Sequence, residues 1–149
     1  MILLMLGTLA VPAMAATAQD SDIHVTKMVV EPSGPDLHFT VYYESDFFTR
    51  VFSLIFGAKI LQPGIEHVFA NFSNVSLVSV DQNNNVAKVY VKNVAAPDKG
   101  GWYTYDKDTA FTVKIPVIEV HNADGRVVTV TDTDRLPIIS NKMPALTKI

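Results

Sequence analysis

The run IHVTKMVVEPSGPDLHFTVYYESDFFTRVFSLIFGAKIL, residues 23–61, holds the two periodicities from which the architecture is read. Up to residue 45 the apolar side chains recur at every second position, the spacing that puts them on one face of a strand. Leu37, Phe39, Val41 and Tyr43 share such a face. In the preceding run Ile23, Val25 and Val29 fall together, and His24, Thr26, Met28 and Val30 fall opposite them. Between the runs, Pro32-Ser33-Gly34-Pro35-Asp36 joins two fixed φ angles to one residue free to take positive φ, which is how a chain reverses. The expectation is a hairpin whose paired residue numbers sum to about 67 or 68.

From Ser45 the period lengthens. Phe48, Val51, Phe52 and Ile55 sit at helical spacing, and Phe47, Val51, Leu54, Ala58 and Leu61 form an adjoining stripe. Only Thr49, Arg50, Ser53 and Lys59 are clearly polar, so a helix over 47–61 is apolar around most of its circumference. Ser45-Asp46 supplies a polar start, Pro63-Gly64 a stop, and Ile65 to Phe72 a second short helix. The helical insert therefore covers 45–72.

The two-residue period returns downstream. Val75 to Asp81 and Val86 to Val94 flank Gln82-Asn83-Asn84-Asn85, a turn made of residues that tolerate positive φ. A Gly-rich loop leads to Trp102-Tyr103-Thr104-Tyr105, and Asp106-Lys107-Asp108 turns again. Phe111, Val113 and Ile115 share a face, but beyond Pro116 the apolar set shifts to Ile118 and Val120, which predicts a β-bulge. Asn122 to Gly125 makes a third hairpin turn, Arg126 to Thr131 pairs back, and the tail from Leu136 runs extended. About seven or eight strands joined by tight turns predict a mainly β fold, an antiparallel β-sandwich with one inserted apolar helical segment. The alternative is an α+β fold with the helix packed on one sheet face.

Upstream, no charged residue precedes Asp20. The apolar run Met1 to Val11 followed by Ala13-Met14-Ala15 has the form of a signal peptide, cleaved after Ala15 or at Ala16-Thr17-Ala18. It is shorter than the roughly 20 apolar residues that span a bilayer, and Pro12 interrupts it. It lacks Lys and Arg, which points to a start codon further upstream. Residues 16–149 then form a single exported domain, secreted or held in the cell envelope.

The chain has no cysteine, which sets it apart from disulfide-stapled secreted scaffolds and suits a prokaryotic envelope protein. A net charge of −3 offers no footprint for nucleic acid. Of its acidic residues 11 are Asp and four are Glu, a skew toward turns rather than helix interiors.

Catalytic and metal signatures are weak. His24, His38, His67 and His121 show no zinc spacing, and with no thiolate available no metal or cofactor is expected. No serine lies in a nucleophile elbow, and Glu31, Glu44, Glu66 and Glu119 fall in different elements. The Asp81 to Asn85 run opens like a calcium loop, but the later positions that need Gly and Glu hold Val86 and Lys92. Asp106 with Asp108, and Asp132 with Asp134, read as solvated turn charges. Asn71 and Asn74 each begin a glycosylation sequon.

Two candidate surfaces remain. Phe47, Phe48, Val51, Phe52, Ile55 and Phe56 are either packed between sheets or offered to a partner. Trp102, Tyr103 and Tyr105 could stack on sugars, with Trp102 on one face and the tyrosines on the other; the expectation set against it, and preferred, is that Trp102 fills the core and the tyrosines line a strand surface. The leading expectation is a non-catalytic exported cell-envelope domain that binds an envelope protein or a second copy of itself. A carbohydrate-binding module with a glycan ligand is the alternative, and a small hydrolase with converging carboxylates a third. Membrane contact is disfavoured, because Arg50 and Lys59 are the helix's only cations.

Overall fold

The computed structural model describes residues 23–105 and 108–142. The expected signal peptide, residues 1–15, lies outside the described residues, as do residues 106 and 107 of the expected turn and the tail from 143. The elements run β1 (Ile23–Ser33), β2 (Asp36–Ser45), α1 (Phe47–Phe56), a 3₁₀ turn (Ala58–Leu61), α2 (Gln62–Val68), β3 (Val75–Asp81), β4 (Val86–Val91), β5 (Trp102–Thr104), β6 (Ala110–His121), β7 (Val127–Arg135) and β8 (Ser140–Lys142).

Six strands form one sheet in the order β3-β4-β2-β1-β6-β7, and β5 pairs with β8 in a small second sheet. Three hairpins sit where the turn residues place them: β1–β2, β3–β4 and β6–β7, all antiparallel. The hairpins are joined through β2–β4 and through a short parallel contact, in which Met28 to Val30 of β1 lie beside Ile118 to Val120 of β6. The principal sheet is therefore mixed, not antiparallel throughout. Local turns dictate pairing within a hairpin; the order in which hairpins dock depends on tertiary packing.

One face of the sheet is apolar and covered. Met28, Val30, Phe39, Val41, Val89 and Ile118 are fully or nearly fully buried on it. Ile65, Val68 and Phe69 from the α2 region lie over them, and Tyr103, Tyr105, Leu136 and Ile139 belong to the same core. At its centre Phe39, Phe69, Phe72 and Phe111 meet edge-on or tilted, with centroids 5.0 to 6.1 Å apart, the offset geometry that ring quadrupoles favour. The second layer is thus α2 and the β5–β8 pair. The opposite face is polar: Lys27 holds Glu119 at 2.9 Å and lies 5.9 Å from the Tyr42 ring.

The first hairpin keeps the expected register from Ile23 to Val25, with His24 opposite Glu44, and departs from it by one residue toward the turn, which also changes the expected facing. Val25 pairs with Tyr43, but Lys27 pairs with Tyr42, so an extra residue is accommodated at Thr26. This bulge reverses the alternation, and Met28 and Val30 turn inward rather than Val29. Because Val25, Met28, Val29 and Val30 are all apolar, their order hides the slip. In β6 the burial phase does change across Pro116, from Ile115 to Ile118. The pairing irregularity lies earlier, however, between Ala110 and Ile115.

The helical insert is also divided differently. Gly57, at φ +85, ends α1 ahead of the expected stop, and Pro63 opens α2 instead of closing a long helix. The break frees the direction of α1 from that of Ala58 to Leu61, and this decides what α1 exposes.

Candidate interaction surface

Helix α1 begins at Asp46, whose extended backbone and carboxylate, 2.6 Å from the Thr49 N–H, form an N-cap. The hydrogen bonds from Thr49 hold the Asp46 carboxyl below the usual range. At the other end the Gly57 N–H donates to the Ser53 carbonyl at 2.9 Å. Between the caps the helix turns one polar residue inward: Ser53 is 3% exposed, and its hydroxyl donates to the Arg50 carbonyl at 2.8 Å. That local bond satisfies the hydroxyl without an outside partner.

The apolar side is left facing out. Phe47 is 74% exposed, Leu54 68%, Ile55 66% and Phe56 67%, and Val51 is partly open. The side chains of Phe48 and Phe52 lie outside the described residues. The principal packing partner of α1 is the 3₁₀ turn, not the sheet. Leu54 belongs to the stripe read with Leu61 and not to the candidate surface; the signal that moves it there is Gly57, which shortens the helix and cancels the stripe shared with Leu61. Arg50 falls within the apolar stretch, after Phe47, and Lys59 follows it; both are exposed.

The three aromatics of the second candidate surface divide. Trp102 is 43% exposed, with the Lys142 ammonium 5.8 Å from its ring centroid. Tyr103 and Tyr105 are buried in the core. Alternation places Trp102 opposite the tyrosines as expected, but the three do not make one platform. The Tyr105 hydroxyl donates to the Gly34 carbonyl in the first hairpin turn, and burial pushes its pKa up to about 12. A cavity of about 400 Å³ lies beside it, lined mainly by Val94, Ala95, Ala96 and Ile138.

Several charged residues are engaged in structure. Asp81 accepts from the Asn83 and Asn84 N–H groups at 3.0 and 3.1 Å and from the Asn84 side chain at 2.7 Å, closing the β3–β4 turn. Asp36 accepts from the Tyr90 hydroxyl and the Asn93 N–H, and these bonds lower its pKa. His24, His38 and His67 are exposed and His121 half-buried. Among the described residues no three His, Cys, Asp or Glu side chains are placed to hold a metal ion, and no helix is long and apolar enough to cross a membrane. The Asn71 amide donates to the Ala110 carbonyl at 2.9 Å, so a glycan on that nitrogen would displace a tertiary bond, whereas Asn74 is exposed in a turn at φ +57.

Compared with protein-family models, with curated proteins and with solved structures, the chain matches none.

Proposed function

We propose that this chain is an exported domain of the cell envelope whose work is to hold another protein, with α1 as its contact ridge. One observation carries the reading: α1 buries its serine and presents Phe47, Leu54, Ile55 and Phe56 to solvent. Phe47, Leu54, Ile55 and Phe56 form a run of large apolar side chains left outside on one short helix, and such a contiguous apolar patch marks an association surface. Phe47, Val51, Leu54 and Ile55 stand at i, i+4, i+7 and i+8, the anchor spacing of a helix laid into an apolar groove. The partner's chemistry follows: an apolar groove with acidic residues at its rim, facing Arg50 and Lys59. Lipid is a weaker match, since an interfacial helix carries a richly basic polar face. Export rests on the signal pattern of residues 1–15.

Support for a binding role over hydrolysis comes from five carboxylates that are committed to structural hydrogen bonds. A general acid needs a raised pKa, while Asp36, Asp46, Asp81, Glu119 and Asp124 are all lowered by hydrogen-bonded partners. The sugar-binding alternative retains Trp102 alone as an exposed ring.

The test is site-specific photocrosslinking in the envelope from a benzophenone side chain at position 54. A discrete adduct with one protein is expected, lost in a second chain carrying Val51→Glu and Ile55→Glu whose thermal melt matches the parent. Diffuse or absent adducts would remove the proposal. So would a collapse of stability in the double variant, because that would mean the chain itself covers this face.

A further inference from the structure

The two edges of the principal sheet are β3 and β7. Edge strands carry unpaired backbone groups, and folds that stay single chains protect them. The β3 edge is protected: its pairing slips between Leu77 and Ser79, and α2 and the 3₁₀ turn pack beside it. The β7 edge is not. Among the described residues no strand lies beyond it, and Arg126 to Thr131 contains no proline, glycine or lysine.

We infer that β7 is a self-association edge, pairing antiparallel with β7 of a second copy about a two-fold axis at Thr129. This surface is separate from α1 and does not depend on the function proposed for that helix. The backbone direction is set by the hairpin turn. The Asn122 N–H donates to the Arg126 carbonyl at 2.9 Å, so Arg126 points toward β6. Val128 and Val130 then do the same, because alternate residues of a strand point their backbone groups to opposite sides. Val127, Thr129 and Thr131 therefore aim N–H and C=O outward, along the open edge.

Over this segment the strand is complementary to itself. With the two-fold at Thr129, that residue meets its own copy, Val128 meets Val130, Val127 meets Thr131, and Arg126 meets Asp132. Each of the outward-facing pairs exchanges two hydrogen bonds. Val127, Val128, Thr129 and Thr131 are all exposed in the single chain. Arg126 already holds Asp124 at 2.6 Å, and Asp132 lies 3.7 Å from Lys114. The seam would string these charges in alternating sign: Asp124, Arg126, then Asp132 and Lys114 of the second copy. Moving the axis to Val128 sets Asp132 against Asp124, and moving it to Val130 sets Asp132 against Val128, so charge selects the register. Asp132, at φ +50, then bends the strand and stops the pairing. Beside the edge, Val120, Val128, Pro137 and Ile138 line a cavity of about 220 Å³ on the core side, which the added strand would cap.

Sedimentation equilibrium of the full chain tests this. A monomer–dimer equilibrium is expected. Arg126→Asp or Asp132→Arg alone should weaken it at least about tenfold, because like charges then face each other twice across the axis, and the double exchange should restore it. Thr129→Pro should abolish it while leaving the melt close to the parent, since that N–H takes no part in the β6–β7 ladder. Val51→Glu together with Ile55→Glu in α1 should leave the dimer intact. A strict monomer, a dimer indifferent to the charge exchange, or a dimer lost only with the α1 changes would overturn the assignment.

Discussion

Leu54 and Leu61 belong to one stripe in the sequence, yet truncating each to alanine should give very different results. Leu61 is 1% exposed and belongs to the core, whereas Leu54 is 68% exposed. A buried leucine cut to alanine loses its transfer free energy and leaves a cavity, a cost of about 2–5 kcal/mol. Full burial of a leucine side chain is worth roughly 1.5–3 kcal/mol, and at Leu54 only about a third of that surface is covered, which leaves less than about 1 kcal/mol to lose. Alanine is also the better helix former, which offsets part of this. Urea unfolding of the two variants should therefore show midpoints separated by about 1 M, given slopes of roughly 1–3 kcal/mol per molar for a domain of this size. Thermal melts should separate them by several degrees. Equal losses for Leu54→Ala and Leu61→Ala would refute the orientation of α1, and with it the interaction surface.

Gly57→Ala should cost about 1–3 kcal/mol; a Cβ there meets no atom within 4 Å, so the loss read by denaturant melts is that of the left-handed backbone alone. Tyr43→Phe should leave stability unchanged or raise it, because the buried Tyr43 hydroxyl has no hydrogen-bond partner among the described residues. Tyr105→Phe should lower stability at neutral pH by removing the bond to Gly34. Burial raises the Tyr105 pKa to about 12 from an ordinary 10, so the native state keeps its proton longer than the unfolded one. That contribution is complete below about pH 10 and is lost as pH rises toward 12, so pH-dependent melts of Tyr105→Phe should decline less steeply over this window than the parent's.

The hairpins were legible because their signals are local. Asn83 and Asn84 close their turn on Asp81, and Gly34 and Gly125 both take positive φ in turns where the sequence placed them. The buried sides of β2 and β4 were legible too, since Leu37, Phe39, Val41, Ala87, Val89 and Val91 alternate without interruption. In β1 the same reasoning assigned the wrong residues. A bulge costs one residue of phase, and a run apolar on both sides carries no record of it. For the candidate surfaces, periodicity put Trp102 across from Tyr103 and Tyr105, but the expectation that Trp102 fills the core is reversed: the tyrosines are buried and Trp102 is exposed, because alternation fixes which residues share a face and not which face is wet.

What the sequence determined by itself was the set of local units: three hairpins, an apolar helical insert, and the turn chemistry that bounds them. Their causes are φ preferences and side-chain periods, which act within a few residues. Tertiary structure alone decided that β1 lies parallel to β6, that the principal sheet is mixed, and that among the described residues no strand lies beyond β7. It also decided which side of α1 faces water. Helix periodicity ranks residues by shared direction, but the direction that becomes the inside depends on what the helix meets. Gly57 turns α1 away from the sheet, its small serine fits the side that is covered, and Phe47, Leu54, Ile55 and Phe56 are left to solvent.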